Sequence, residues 1–177
     1  MKARARGWLV VAVFLAGSVT AGCGSDLNAE GERAVRTYCE ALVVAYRTSD
    51  ANAVQPVATE KEWRKLFTLI DLKRAAGLVL ESELESLAVT AVEQPGPGVM
   101  AVMATERWRY FDRPIELGTP PGTEFVVEMD LMYSFVDEDG VWKMDQATTH
   151  RHEYIEPEGY RPIEHQPHGT DSRSEGP

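Results

Sequence analysis

The apolar residues of this chain change their period at about Leu78, and that change limits the fold more than any other feature. Upstream, from Ala29 to Thr48, Val35, Tyr38, Cys39, Leu42, Val43 and Tyr46 recur at helical spacing. Glu30 and Glu32 stand in the opening turn, where the helix dipole favours acids. Ser49-Asp50 ends this helix and caps a short turn, Ala51 to Val54, ahead of Pro56. A second helix follows the capping box Thr59-x-x-Glu62, carries Trp63, Leu66, Phe67, Leu69 and Ile70, and is stopped by Gly77. Downstream the period is that of strands. Leu78 to Glu93 reads as a strand or strand pair whose phase slips between Leu84 and the set Leu87, Val89 and Ala91, which places a β-bulge near Glu85-Ser86. After the turn Pro95-Gly96-Pro97-Gly98, a strand from Val99 to Phe111 carries Met100, Val102, Ala104, Trp108 and Tyr110 on one face. Asp112 to Thr123, rich in Pro and Gly, reads as a long loop, and Phe125, Val127, Met129, Leu131, Tyr133 and Phe135 mark the clearest strand. Asp137-Glu138-Asp139-Gly140 turns the chain into a last strand, Val141 to about Glu153, on which Trp142 and Met144 share a face. Helices first and antiparallel hairpins afterwards predict an α+β domain, N-terminal helices packed on a strongly bent antiparallel sheet.

The ends of the chain do not belong to that domain. Lys2, Arg4 and Arg6 precede the apolar run Trp8 to Ala16 and then small residues, the order of an export signal, with an apolar stretch too short to span a bilayer. Thr20-Ala21-Gly22-Cys23 resembles a bacterial lipobox. The resemblance implies cleavage between Gly22 and Cys23 and acylation of Cys23 by chains such as palmitate, two of which give stable anchoring. A soluble exported protein with an incidental Cys23 is the alternative. The organisation expected is therefore a signal peptide over 1–22, a lipidated N-terminus and tether over 23–28, the α+β domain over 29–155, and a disordered tail over 156–177, where Pro157, Pro162 and Pro167 interrupt a segment without periodicity.

With 177 residues, 44% of them hydrophobic and 26% charged, the chain suits one globular domain rather than a two-domain enzyme. Its net charge of −10 opposes binding to nucleic acid, and loss of the signal, which holds basic residues and no acids, leaves the exported chain more negative still. Of the two cysteines, Cys23 is consumed by lipid and Cys39 falls on the apolar face of the first helix as a buried, inert thiol; a Cys23–Cys39 bridge becomes available only if lipidation fails. The compartment expected is the bacterial cell envelope, outside the cytoplasm, in the periplasm or at the cell surface.

The order of elements resembles the nuclear-transport-factor-2-like superfamily, a cystatin-like cone of helices and a bent sheet. Asp139-Gly140-Val141-Trp142-Lys143-Met144 is similar to its frequent final hairpin, which implies that Trp142 packs beneath the helices. The stretch from Phe67-Thr68-Leu69-Ile70-Asp71 through Val102-Met103-Ala104-Thr105-Glu106 to that hairpin is similar to the domains of the small division-protein branch, chloroplast and bacterial. No catalytic signature matches residue by residue, so the resemblance implies a shape and a pocket, not an activity.

In such a cone the inward strand faces include Glu106 and Trp108, Tyr133, and Gln146 with His150, an apolar wall with a few polar groups of the kind small-molecule pockets have. A plain core whose polar members sit near the open end of the sheet accounts for the same residues. A carboxylate on an apolar strand face must be paired, lie at a rim or change its protonation, and Arg107 is not its partner because neighbours on a strand face opposite ways. Asp71, Glu106, Tyr133 and His150 are the catalytic candidates that fold analogy alone nominates. His150-x-His152 and His165-x-x-His168 have a spacing that permits metal binding, yet without cysteine partners they read as surface histidines, so no metal or other cofactor is expected. Arg107-Trp108-Arg109-Tyr110 reads as a solvated face behind a packed one, and Glu81-Ser82-Glu83-Leu84-Glu85 as a solvated acidic edge that could meet a basic envelope partner. The function these residues suggest is a membrane-anchored, non-enzymatic module that binds an envelope protein or a small apolar ligand. The alternative is a lipid-anchored enzyme that uses a polar group inside the cone on a small apolar substrate. A deep cavity with Glu106 and Tyr133 converging would favour the enzyme; a filled cone with an exposed apolar sheet face would favour a partner or a homodimer.

Overall fold

A computed structural model describes residues 23–155. The export signal, the cleavage position at Gly22, and the tail with His165 and His168 lie outside the described residues. Helix α1 spans Cys23–Thr48, a 3₁₀ turn spans Ala51–Val54, and α2 spans Glu60–Ala75. Strands β1 (Leu78–Gly96), β2 (Val99–Pro114), β3 (Phe125–Glu138) and β4 (Val141–Ile155) form one antiparallel sheet in the order β1-β2-β3-β4, curled about the helices. The α+β class is as the period change predicts.

Helix α1 runs further back than the sequence suggests. The segment taken as a tether is helical from Cys23, with Asp26 in the first turn and Leu27 packed on the core, so apolar contact continues where the expected pattern stops. The inner face of α1 holds Val35, Tyr38, Cys39, Ala45 and Tyr46, all buried against Met100, Val102, Trp108, Tyr133 and Phe135 of the sheet. At Gly31 the α1 backbone comes close to the sheet. A Cβ there would lie 2.7 Å from Val92 Cγ2 and 3.2 Å from Val102 Cγ2.

Half of the capping box forms. Glu62 N–H donates to Thr59 Oγ1, but Thr59 N–H donates to Met144 O (2.9 Å) instead of to the Glu62 side chain. Met144 N–H in turn donates to Val57 O, so residues 57–59 add a short parallel bridge that covers part of the β4 edge. Gly77, at φ +73°, stops α2 as expected, and Asp139-Gly140, both at positive φ, make the two-residue turn between β3 and β4.

The sheet contains the bulge expected at Glu85 and others that the sequence did not mark. Pairing of β1 with β2 slips between Leu84 and Ser86 and again between Val89 and Ala91. Pairing of β3 with β4 slips at Ser134/Phe135 and at Asp130/Leu131, which leaves Asp145 and His150 as the extra residues of β4. β2 continues through Asp112 to Pro114, so the loop to β3 is shorter than Asp112 to Thr123. On the outer face Glu85 takes both Arg107 and Arg109, and Arg47 and Arg113 meet at Glu81. The expected acidic edge is in fact neutralised by the chain's own arginines.

These pairs define an acid response. Arg107 holds the Glu85 carboxyl below its usual range, Arg151 does so for Asp130, and Lys61 for Asp145. A carboxyl depressed in the folded chain binds fewer protons there than when unfolded. The stability it adds is complete above the unfolded value, near pH 4, and is lost as pH falls through the lower folded value. Thermal unfolding followed by circular dichroism should give a melting temperature that falls below about pH 4, and Arg151→Gln should soften the fall; a melting temperature that rises on acidification would contradict the assignment.

Candidate functional site

β2 is unbulged against β3, so its alternation is strict and Glu106 points inward between Ala104 and Trp108. It is 1% exposed. Tyr133 on β3 donates its hydroxyl to Glu106 Oε1 at 2.8 Å, and the indole N–H of Trp108 donates to Oε2 at 2.7 Å. From above, the Cys39 thiol of α1 donates to Oε1 at 3.5 Å. Every partner is a donor and the carboxyl group only accepts, which answers the need for pairing that its place on an apolar face creates. Burial, with the carboxylate beside it, pushes the Cys39 thiol well above its ordinary range, so it is the inert thiol expected. Burial likewise raises Tyr133 far out of reach of physiological titration, and Tyr46 up to about 12. Next to this cluster the Tyr38 ring meets Tyr133 edge-on, and its hydroxyl donates to the buried Glu62, which Lys65 holds at 2.8 Å.

The structure thus brings together Glu106, Trp108 and Tyr133, but not Gln146 or His150. Both are exposed. The extra residue Asp145 reverses the alternation of β4, so Gln146 pairs with Ser134 on the outer face while Ala147 takes the inward place opposite Tyr133. The second bulge leaves His150 unpaired between Thr149 and Arg151. Asp145 turns toward α2 instead, where Lys61 Nζ (2.8 Å) and Thr59 Oγ1 (3.1 Å) donate to it. Asp71 is on the exposed side of α2, paired with Arg74. Trp142 does lie beneath a helix, donating its indole N–H to Glu30 Oε1 of α1 at 2.7 Å.

An open concavity lies elsewhere, at the end of the sheet where the β2–β3 loop leaves. This cleft, about 430 Å³, has walls of Leu80, Tyr110, Phe111, Phe125, Met129 and Tyr154. Phe125 and Tyr154 meet edge to face and are both more than half exposed. At one side Lys73, from the last turn of α2, bonds both carboxylate oxygens of Asp112 at 2.7–2.8 Å; at the other stand Thr149 and His152. Alternation along β2 and β3 already faces Tyr110, Phe125 and Met129 inward; sequence reasoning missed the cleft because Thr149, His152 and Tyr154 complete it from β4, whose facing depends on its bulges. The one legible sign was the pair of aromatics, Phe125 and Tyr154, at positions bordering the sheet.

The arrangement is similar to that of solved structures of low sequence identity. The intermembrane space region of chloroplast protein ARC6 aligns with a TM-score of 0.62 at 14% identity, over 69% of this chain and 95% of that one. Lower scores relate it to hexachlorocyclohexane dehydrochlorinase LinA-type3 from Novosphingobium barchaimii LL02, 0.47 at 10% identity over 73% of this chain and 94% of the other. A nuclear transport factor 2 (NTF2-like) superfamily protein from Salmonella enterica serovar Typhimurium LT2 gives 0.44 at 8% identity, over 81% and 99%. No family model and no curated protein sequence matches the chain. The likeness to the ARC6 region is one of backbone shape.

Proposed function

We propose that this chain is a lipid-anchored protein of the bacterial cell envelope whose domain is a non-enzymatic binding module, with its ligand site at the mouth cleft and not inside the cone. The observation that carries the reading is the state of Glu106, buried to 1% with both oxygens taken by Tyr133, Trp108 and Cys39 of its own chain. Such a group supports the core, and its burial keeps it from reaching a substrate. The 2.8 Å contact of Tyr133 with Glu106 is what would favour an enzyme, and its burial argues against that use. On the outer sheet face the ion pairs of Glu85 and Asp130 interrupt the apolar side chains of Met103 and Met132, which supports a ligand at the mouth over a homodimer through the sheet. Anchoring draws on Thr20-Ala21-Gly22-Cys23.

Two measurements test the reading. Mass spectrometry of membrane-extracted protein should find a mature N-terminus at Cys23 carrying acyl chains, abolished by Cys23→Ser; an unmodified N-terminus elsewhere would defeat the anchor. Anilinonaphthalene sulfonate, a probe with an aromatic body and one anionic sulfonate, should bind the domain at the cleft. Phe125→Ala and Tyr154→Ala should each weaken it about tenfold, the loss of one aromatic contact surface. Val44→Ser, at an exposed site on α1, should leave it unchanged. Binding indifferent to both aromatics would place the ligand elsewhere.

A further inference from the structure

α1 is continuous from Cys23 to Thr48, and its two ends belong to opposite ends of the sheet. Near its start, Glu30 accepts from Trp142, and Gly31 abuts Val92 and Val102. These residues lie beside the β1–β2 and β3–β4 turns. Near its end, Arg47 pairs with Glu81, which also holds Arg113 of β2, and Gly77 O accepts from Ile115 N–H at the start of the β2–β3 loop. The mouth cleft is at that second end, since Leu80, Phe111, Phe125 and Tyr154 all stand there. A helix of 26 residues rises about 39 Å at 1.5 Å per residue.

We infer that α1 is a spacer joining the acyl anchor to the domain, which sets the turn end of the sheet toward the bilayer and the cleft away from it, so that the cleft takes a water-borne small molecule with a flat apolar body rather than a lipid of the supporting membrane. This rests on the anchoring proposed above for Cys23. Because the helix already begins at Cys23, little flexible chain is left to let the domain tip over. The turn end carries Glu93, Asp137, Asp139 and Glu138, the last paired with Lys143 at 2.9 Å, and this net acidic end stands off an anionic surface instead of lying flat on it. The occupant is argued from the walls. Phe111, Phe125, Tyr110 and Tyr154 form an aromatic frame, while Thr149 and His152 offer hydrogen bonds to one polar edge of a ligand, and about 430 Å³ suits a small molecule rather than an acyl chain pair.

Full-length lipidated protein, in vesicles of phosphatidylglycerol and phosphatidylethanolamine, tests the orientation. A fluorescent dye is placed either at Val141→Cys, beside the β3–β4 turn, or at Thr119→Cys, in the β2–β3 loop. Nitroxide-labelled lipid should quench the dye at 141 at least about threefold more than at 119, as the rise of roughly 26 Å along α1 from Glu30 to Arg47 requires. Aqueous iodide should quench the dye at 119 fully. Equal lipid quenching at both positions, or stronger quenching at 119, overturns the orientation while the anchor stands. Protein that does not float with the vesicles overturns the anchor, and the orientation with it.

Discussion

Glu106→Ala should lower the unfolding free energy by about 4 kcal/mol and the melting temperature by about 15 °C, because it strands several buried donors at once. The Tyr133 hydroxyl and the Trp108 indole N–H both end on this carboxyl at 2.7–2.8 Å, with the weaker Cys39 thiol beside them. Trp108 is 1% exposed and Tyr133 3%, so water does not replace the lost acceptor without opening the core. Glu106→Gln keeps the shape and one oxygen, which can still accept from Tyr133 and Cys39. It then turns an amide donor toward the Trp108 N–H, and about 2 kcal/mol is the expected cost. Tyr133→Phe, which removes a single donor and leaves the carboxyl its bond to Trp108, should cost less than either. Chemical denaturation of the three variants reads this order directly. A Glu106→Ala protein as stable as the parent would mean that the carboxyl is retained for chemistry and not for the core, and would revive the enzymatic reading.

Gly31→Val should destabilise by about 3 kcal/mol, the upper part of the range for overpacking. On an exposed helix face, replacing glycine would help, since glycine costs up to about 1 kcal/mol relative to alanine. Here the new Cβ would sit 2.7 and 2.9 Å from the two Cγ atoms of Val92 and 3.2 Å from Val102 Cγ2. Valine is branched at Cβ and has few rotamers to yield, and Val102 is fully buried, so the helix itself must move. That shift would pull Glu30 from Trp142. Gly31→Ala should cost less, about 1 kcal/mol, with the helix gain offsetting part of the clash. Val92→Ala in the Gly31→Val background should recover about half of the loss, because the shortest contacts are with that side chain. Additive effects of the two substitutions would show that Gly31 is not the point of close approach.

How much of this was legible depends on whether a feature is local. The cap at Thr59, the stop at Gly77, the turn at Asp139-Gly140 and the bulge after Leu84 are each written in neighbouring residues, and each appears, though the Glu62 half of the capping box does not form. Glu106 and Trp108 share a face because a single residue, Arg107, stands between them on a straight strand, so their pairing followed from alternation. Gln146 and His150 failed for the converse reason. The alternation of β4 is broken at Asp145 by something distant, the docking of Thr59 and Lys61 from the start of α2.

By itself the sequence determined the class of the domain, the order of its elements, its acidic charge and the inward place of Glu106, because period and parity are properties of consecutive residues. Only the tertiary structure decided what Glu106 meets, since Cys39 stands 67 residues away and Tyr133 27. It also decided which end of the cone stays open. Register slips accumulate along β1 and β4, and the facing of a strand end such as Tyr154, beyond two of them, is settled by packing across the sheet, which no local pattern encodes.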